Sequence, residues 1–179
     1  MSDETRPTDP FPILLVDTGG TFNKRYDPVA GRLRVEGASG PARRILASAE
    51  GNLELKVLQP VCKDSLEMTS DDREAVVAAI TSVEPEWREA PVVVIHGTDT
   101  MDQTAAVLAE RLPGRRVVLT GAMRPFEIDA VEPAFNLGLA LGFAQSASEP
   151  GVFLAMSGLV RPPDRLAKDR DAGVFRLRA

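Results

Sequence analysis

Two short stretches concentrate the side chains able to do chemistry. In the first, Thr18-Gly19-Gly20-Thr21 follows the apolar run Ile13-Leu14-Leu15-Val16 and a single carboxylate, Asp17. The paired glycines open backbone angles closed to other residues and let a ligand approach the main chain. A hydroxyl beside free N–H groups at the end of a strand supplies the materials of acyl transfer: a nucleophile and donors for an oxyanion. In the second, His96-Gly97-Thr98-Asp99-Thr100-Met101 stands between an apolar run and a helical pattern. It offers a hydroxyl, a carboxylate and the unpaired N–H groups of a helix start within three residues. Taken singly, the first stretch is also explained as a tight turn and the second as a helix-capping loop.

The surrounding elements must hold these stretches in place. Residues 13–22 read as a strand ending in the glycine turn. Lys24 to Gly37 reads as a hairpin or flap over the end of that strand, turning at Tyr26 to Arg32. Helical spacing follows at Ile45, Leu46 and Ala49, then a strand over 53–61 and a polar loop over 63–69. Ser70 is placed as the N-cap of a helix with Asp71 and Asp72 in its first turn and Val76, Val77, Ile80 and Val83 on its apolar face. Residues 91–95 are almost purely β-branched, the mark of a strand buried on both faces. A helix over 101–112 follows, with Thr100 and Gln103 spaced as a capping box. A strand at 117–119 ends in Gly121-Ala122-Met123-Arg124-Pro125, Pro133 can open a helix running to about 147, and 152–156 is a further strand. The charged tail from Gly158 ends in a short strand, Val174–Leu177.

This alternation predicts an α/β fold: a three-layer, flavodoxin-like parallel sheet with helices on both faces, forming a single domain over 11–179 behind a disordered tail, 1–10. Such sheets gather ligands at the C-terminal ends of their strands. Nearly all the polar punctuation falls there: Gly19-Gly20-Thr21, residues 63–67, 96–100 and 121–125.

Composition narrows the function. The 179 residues, 44% apolar and 26% charged, suit one globular domain. The net charge of −5, without a basic patch, argues against a nucleic-acid partner. No apolar run approaches the ~20 residues needed to span a bilayer, and 1–10 lacks the basic and apolar regions of a signal peptide. Cys62 is the only cysteine, which leaves no intrachain disulfide and suits a cytoplasmic protein. With one His and one Cys, a zinc site of common type is not expected.

Three families share parts of the first stretch. Asp17-Thr18-Gly19 resembles the aspartic-protease loop, but that fold is all β. Asp17-x-Gly19-Gly20-Thr21 resembles the phosphate turn of actin-like sugar kinases, but no second phosphate turn follows. Thr18-Gly19-Gly20-Thr21, then His96 to Met101, then Gly121 to Pro125, in this order, closely resembles the bacterial-type L-asparaginases, over about 13–175 and only the N-terminal domain of their usual two-domain subunit. Ser65-x-x-Met68 falls where that family carries a substrate-binding serine, and Lys168 where it carries a catalytic lysine.

The resemblance implies a cofactor-independent hydrolysis of L-asparagine to L-aspartate and ammonia through an acyl-threonine. Thr21 would be the nucleophile and Tyr26, in the flap, its partner. Thr98, Asp99 and Lys168 would form a second triad in which the lysine takes a proton from a hydroxyl or a water. The N–H groups of Gly20 and Thr98 would make the oxyanion hole. Ser65 would hold the substrate's α-carboxylate and Asp99 its α-ammonium, with Gly97 in the binding site. His96 and Cys62 read as structural.

Two departures from the family pattern bear on the pocket. Leu66 stands where a glutamine is common, and the second domain that completes a neighbouring subunit's site is not expected in this chain; Glu67, Glu127 or Asp129 could replace its groups. A non-catalytic amino-acid-binding or regulatory domain is therefore the alternative reading, and amide hydrolysis on a misacylated tRNA a third. The apolar residues Phe135, Leu137, Leu139, Leu141 and Phe143 encircle much of one helix, which predicts a homo-oligomer, a dimer or a tetramer.

Overall fold

The computed structural model describes residues 10–37, 39–49 and 52–178. In it the apolar runs become β1 (Phe11–Asp17), β4 (Leu53–Leu58), β5 (Val92–Ile95), β6 (Arg116–Thr120) and β7 (Gly151–Met156), and the amphipathic segments become α1 (Gly40–Leu46), α2 (Ser70–Thr81), α3 (Met101–Arg111) and α4 (Val131–Ser146). Two short hairpins, β2 (Lys24–Asp27) with β3 (Arg32–Val35) and β9 (Leu166–Asp169) with β10 (Val174–Leu177), stand outside the main sheet, whose last strand is β8 (Leu159–Arg161). The sheet runs β4-β1-β5-β6-β7-β8; only the β7–β8 pairing is antiparallel. Its five parallel strands thus lie second, first, third, fourth, fifth in chain order. That is the flavodoxin-like order, with its switch point between β1 and β5.

Strand periodicity assigns the layers. Leu14 and Val16 face α2 and α3, packing with Val76, Ile80, Ala105 and Leu108. Ile13 and Leu15 face α1 and α4, packing with Ala42, Leu46, Leu137 and Leu141. All four residues of β5 are buried, as its position inside the sheet requires.

Several local expectations are corrected. Thr69, not Ser70, caps α2: its hydroxyl accepts from Asp72 N–H while the Asp72 carboxylate accepts from Thr69 N–H. Thr100 and Gln103 form no capping box, because the Thr100 hydroxyl donates to Ser65 O and Gln103 accepts from Arg73. Helix α4 begins at Val131, two residues before Pro133. The tail from Gly158 folds into three strands rather than one, β8, β9 and β10. The tail expected over 1–10 lies outside the described residues except for Pro10. Among the described residues no helix is long and apolar enough to cross a membrane, and no three His, Cys, Asp or Glu side chains are placed to hold a metal ion.

Candidate active site

The ends of β1 and β5 meet at the switch point through two glycines. A Cβ on Gly20 would lie 2.5 Å from Gly97 Cα, and Gly20 sits at φ +75°, so both space and backbone demand glycine there. Thr21 and Thr98 each follow this contact by one residue.

The β1 turn is tied down by the main chain and by a buried acid. Lys63 N–H donates to Thr18 O and Gly20 N–H donates to Lys63 O at 2.9 Å. The Gly20 N–H, one of the two expected oxyanion donors, is thus engaged by Lys63 O. The N–H groups of Thr21 and Thr98 have no acceptor among the described residues, and they are the donors an oxyanion could use. Below the turn, the fully buried Asp17 accepts from Gly19 N–H at 2.9 Å and from Asn23 Nδ2 at 2.7 and 2.8 Å. Burial pushes the Asp17 carboxyl up, opposed by the bonds from Gly19, Asn23 and Ser39.

The β5 turn is held by His96, which is structural as expected. Its Nδ1 lies 2.7 Å from Gly97 O, so that nitrogen carries the proton, and Nε2 accepts from Thr104 Oγ1 at 2.7 Å. Arg73 Nε donates to the same hydroxyl. Burial chiefly, with the Arg73 charge adding, pushes His96 down to about 4, so the ring is neutral at pH 7.

Lys168 arrives on β9. Leu166 and Phe175 pin the β9–β10 hairpin into the core, at 0% and 5% exposure. From there Lys168 Nζ donates to Thr98 Oγ1 at 2.8 Å and to Asp99 Oδ1 at 3.0 Å, across some seventy residues of sequence. Arg170, which motif reading did not single out, also donates to Asp99 Oδ1, at 2.6 Å. Burial disfavours the Asp99 carboxylate, but Lys168 and Arg170 outweigh it and hold its carboxyl below the usual range. A cavity of about 150 Å³ beside these groups is lined by Thr98, Asp99, Lys168, Arg170 and Phe175, among others.

The remaining expected residues divide. Ser65 is buried against Gly97, where a Cβ would meet its Oγ at 2.5 Å, and its hydroxyl is buried without a partner among the described residues. Leu66 points outward, 69% exposed. Tyr26 is 58% exposed on β2, and no hydrogen bond joins it to Thr21. Of the substitutes considered for second-domain groups, Glu127 accepts from Tyr26 N–H and Asp129 pairs with Arg124, so both serve local structure. The signal for Arg170 and Asn23 was present only as a polar residue near a motif; for Asp17 it was a carboxylate at the end of a buried strand.

Fold and site together define a class: a doubly wound α/β domain with two threonine turns meeting at its switch point, one of them bearing a lysine. The family model described as asparaginase, N-terminal, matches residues 12–173, and the chain belongs to the asparaginase family of amidohydrolases. It is 30% identical over 178 residues to the L-asparaginase of Thermococcus kodakarensis, covering 90% of this chain and 49% of the relative. It is 28% identical over 160 residues to a glutamyl-tRNA(Gln) amidotransferase subunit from Metallosphaera sedula, covering 87% and 36%. The chain thus spans about half the length, or less, of the curated relatives it matches. Its fold is similar to the solved thermostable L-asparaginase from Thermococcus kodakarensis, with a TM-score of 0.78 over 93% of this chain and 51% of that one.

Proposed function

We propose that the chain hydrolyses the side-chain amide of L-asparagine, giving L-aspartate and ammonia by double displacement at Thr21. The observation that carries this reading is Lys168 Nζ on both Thr98 Oγ1 and Asp99 Oδ1, a hydroxyl, an acid and an amine converging from distant parts of the chain on one strand end. Thr21 Oγ1 attacks the amide carbon, the unpartnered N–H groups of Thr21 and Thr98 receive the oxyanion, and the proton given up by the Thr21 hydroxyl passes to the amide nitrogen, which leaves as ammonia when the C–N bond breaks. Water then attacks the acyl-threonine, with Lys168 and Thr98 moving its proton. The buried Ser65 hydroxyl accounts for itself as a donor to the α-carboxylate. Asp99 receives the α-ammonium through the oxygen that Lys168 and Arg170 leave open. Tyr26 closes over the site with its hairpin and limits water.

The protein acts in the cytoplasm without a cofactor, on a small-molecule substrate, and assembles as a homo-oligomer. Support for assembly comes from Ile128, Val131 and Phe135, which are 67%, 77% and 57% exposed around the start of α4. One observation favours the alternative of binding without turnover: Tyr26 is exposed and makes no hydrogen bond to Thr21. Ammonia release from L-asparagine by the purified protein decides between them. Turnover supports the enzyme, whereas aspartate binding without turnover supports the binding domain. Release only from a misacylated tRNA would redirect the substrate.

A further inference from the structure

We infer that Asp17 and Asn23 form a buried carboxylate–amide clamp that positions Thr21, making Asp17 a positioning residue kept for the reaction rather than for the fold. The inference rests on the reading of Thr21 as nucleophile. Both clamp residues are fully buried. Their contacts straddle Thr21: Gly19 N–H holds Asp17 Oδ1 on one side, and Asn23 Nδ2 spans both carboxylate oxygens on the other. The main chain repeats the pattern, since Gly20 N–H is held by Lys63 O and Asn23 N–H by Gly20 O. Between these tied residues the N–H groups of Thr21 and Phe22 have no acceptor among the described residues, and of the two only Thr21 carries a hydroxyl.

Packing does not call for an acid at this position. Asp17 continues the series Ile13, Leu15, whose side chains fill the α1–α4 layer, and an apolar residue would extend that layer. A buried carboxylate is costly unless its partners repay the lost water, and burial outweighs the donors around Asp17. Asn23 adds a second cost: with its Nδ2 committed to the carboxylate, its Oδ1 is buried without a donor. Two penalties accepted beneath a reactive turn are the pattern of a site held for function.

Asp17→Asn keeps the volume and removes the charge. The two amides can then bond to each other, using the Asn23 oxygen that now lacks a partner, but Asn23 Nδ2 loses one of its two acceptors at residue 17, so the pair re-forms in a different geometry beneath Thr21. The variant should melt no lower than the parent yet lose about tenfold or more in kcat, with KM for asparagine within about threefold. Asn23→Asp, placing two acids together, should lose at least as much. The exchange Asp17→Asn with Asn23→Asp restores one acid facing one amide and should recover kcat to within about threefold of the parent. A folded Asp17→Asn protein at parental kcat overturns the clamp, as does an exchange variant no faster than the single variants, or activity that merely tracks a lowered melting temperature. If Asp17→Asn does not fold, Asn23→Ser, which keeps the acid and its Gly19 bond, takes its place: reduced kcat supports the clamp and parental kcat overturns it. Thr21→Ala separates the two readings. An active Thr21→Ala protein refutes the nucleophile; an inactive one beside a fully active Asp17→Asn protein refutes only the clamp.

Discussion

The two threonine turns at the switch point are supported in different ways. Around Thr98 the chemistry is already assembled, because Lys168 stands on a hairpin anchored by Leu166 and Phe175 in the core. Around Thr21 the turn is fixed from below by Asp17 and Asn23, but no hydrogen bond joins it to its expected partner, Tyr26. Tyr26 rides on a hairpin whose ties to its surroundings include the Lys24–Asp64 and Arg25–Glu127 ion pairs and a bond from its own N–H to Glu127. Leu33 and Val29 on that hairpin are exposed. Surface ion pairs contribute about 0–1 kcal/mol each, so such a hairpin opens and closes cheaply, whereas the Lys168 hairpin would have to expose core to move. Buried anchoring fixes one half of the site and exposed anchoring leaves the other half adjustable.

The sharpest way to break this comparison is to remove each hydroxyl in turn. Thr21→Ala and Thr98→Ala should each lower kcat by about 10³-fold or more, roughly 4 kcal/mol, with far-UV circular dichroism unchanged. If the turns serve one reaction, the double variant loses little beyond the worse single one. Multiplying losses would mean that they act independently. A folded Thr21→Ala protein at near-parental rate removes Thr21 from the mechanism.

Lys168→Met tests the assembled half. It should lower kcat by about 10²-fold or more while L-aspartate binding, measured by calorimetry, changes little, because a base acts in the transition state. Lost affinity at an unchanged maximal rate would make Lys168 a binding residue. Tyr26→Phe tests the adjustable half. Removing the phenol should cost about 10- to 100-fold in kcat if the hairpin closes over substrate. A parental rate would reduce the hairpin to a cover.

The smallest effect concerns the support beneath Thr98. His96 is buried and neutral, pushed down to about 4. The unfolded chain, with an ordinary value near 6.5, binds more protons between these limits. Stability from this group is therefore complete above about pH 6.5 and is lost as pH falls toward about 4, by roughly 3 kcal/mol over the whole window. Urea unfolding from pH 7.5 to 4.5 should show that loss, and His96→Gln should flatten it while keeping turnover at pH 7.5 within about tenfold. An unchanged slope in His96→Gln would assign the acid sensitivity to other groups.

The sequence by itself determined the alternation of strands and helices, the parallel sheet and the two threonine turns at one edge of it. Each of these depends on residues close in the chain, where hydrophobic period and glycine freedom act directly. Tertiary structure alone decided which groups of those turns are available. Gly20 carries the motif, but a carbonyl from Lys63 takes its N–H and leaves the one at Thr21 open. Thr100 and Gln103 have capping spacing, but Ser65 O and Arg73 claim them. Arg170 reaches Asp99 only because segments distant in sequence end side by side. A hydrogen bond is won by whichever partner folding brings within about 3 Å, and local pattern does not specify that competition.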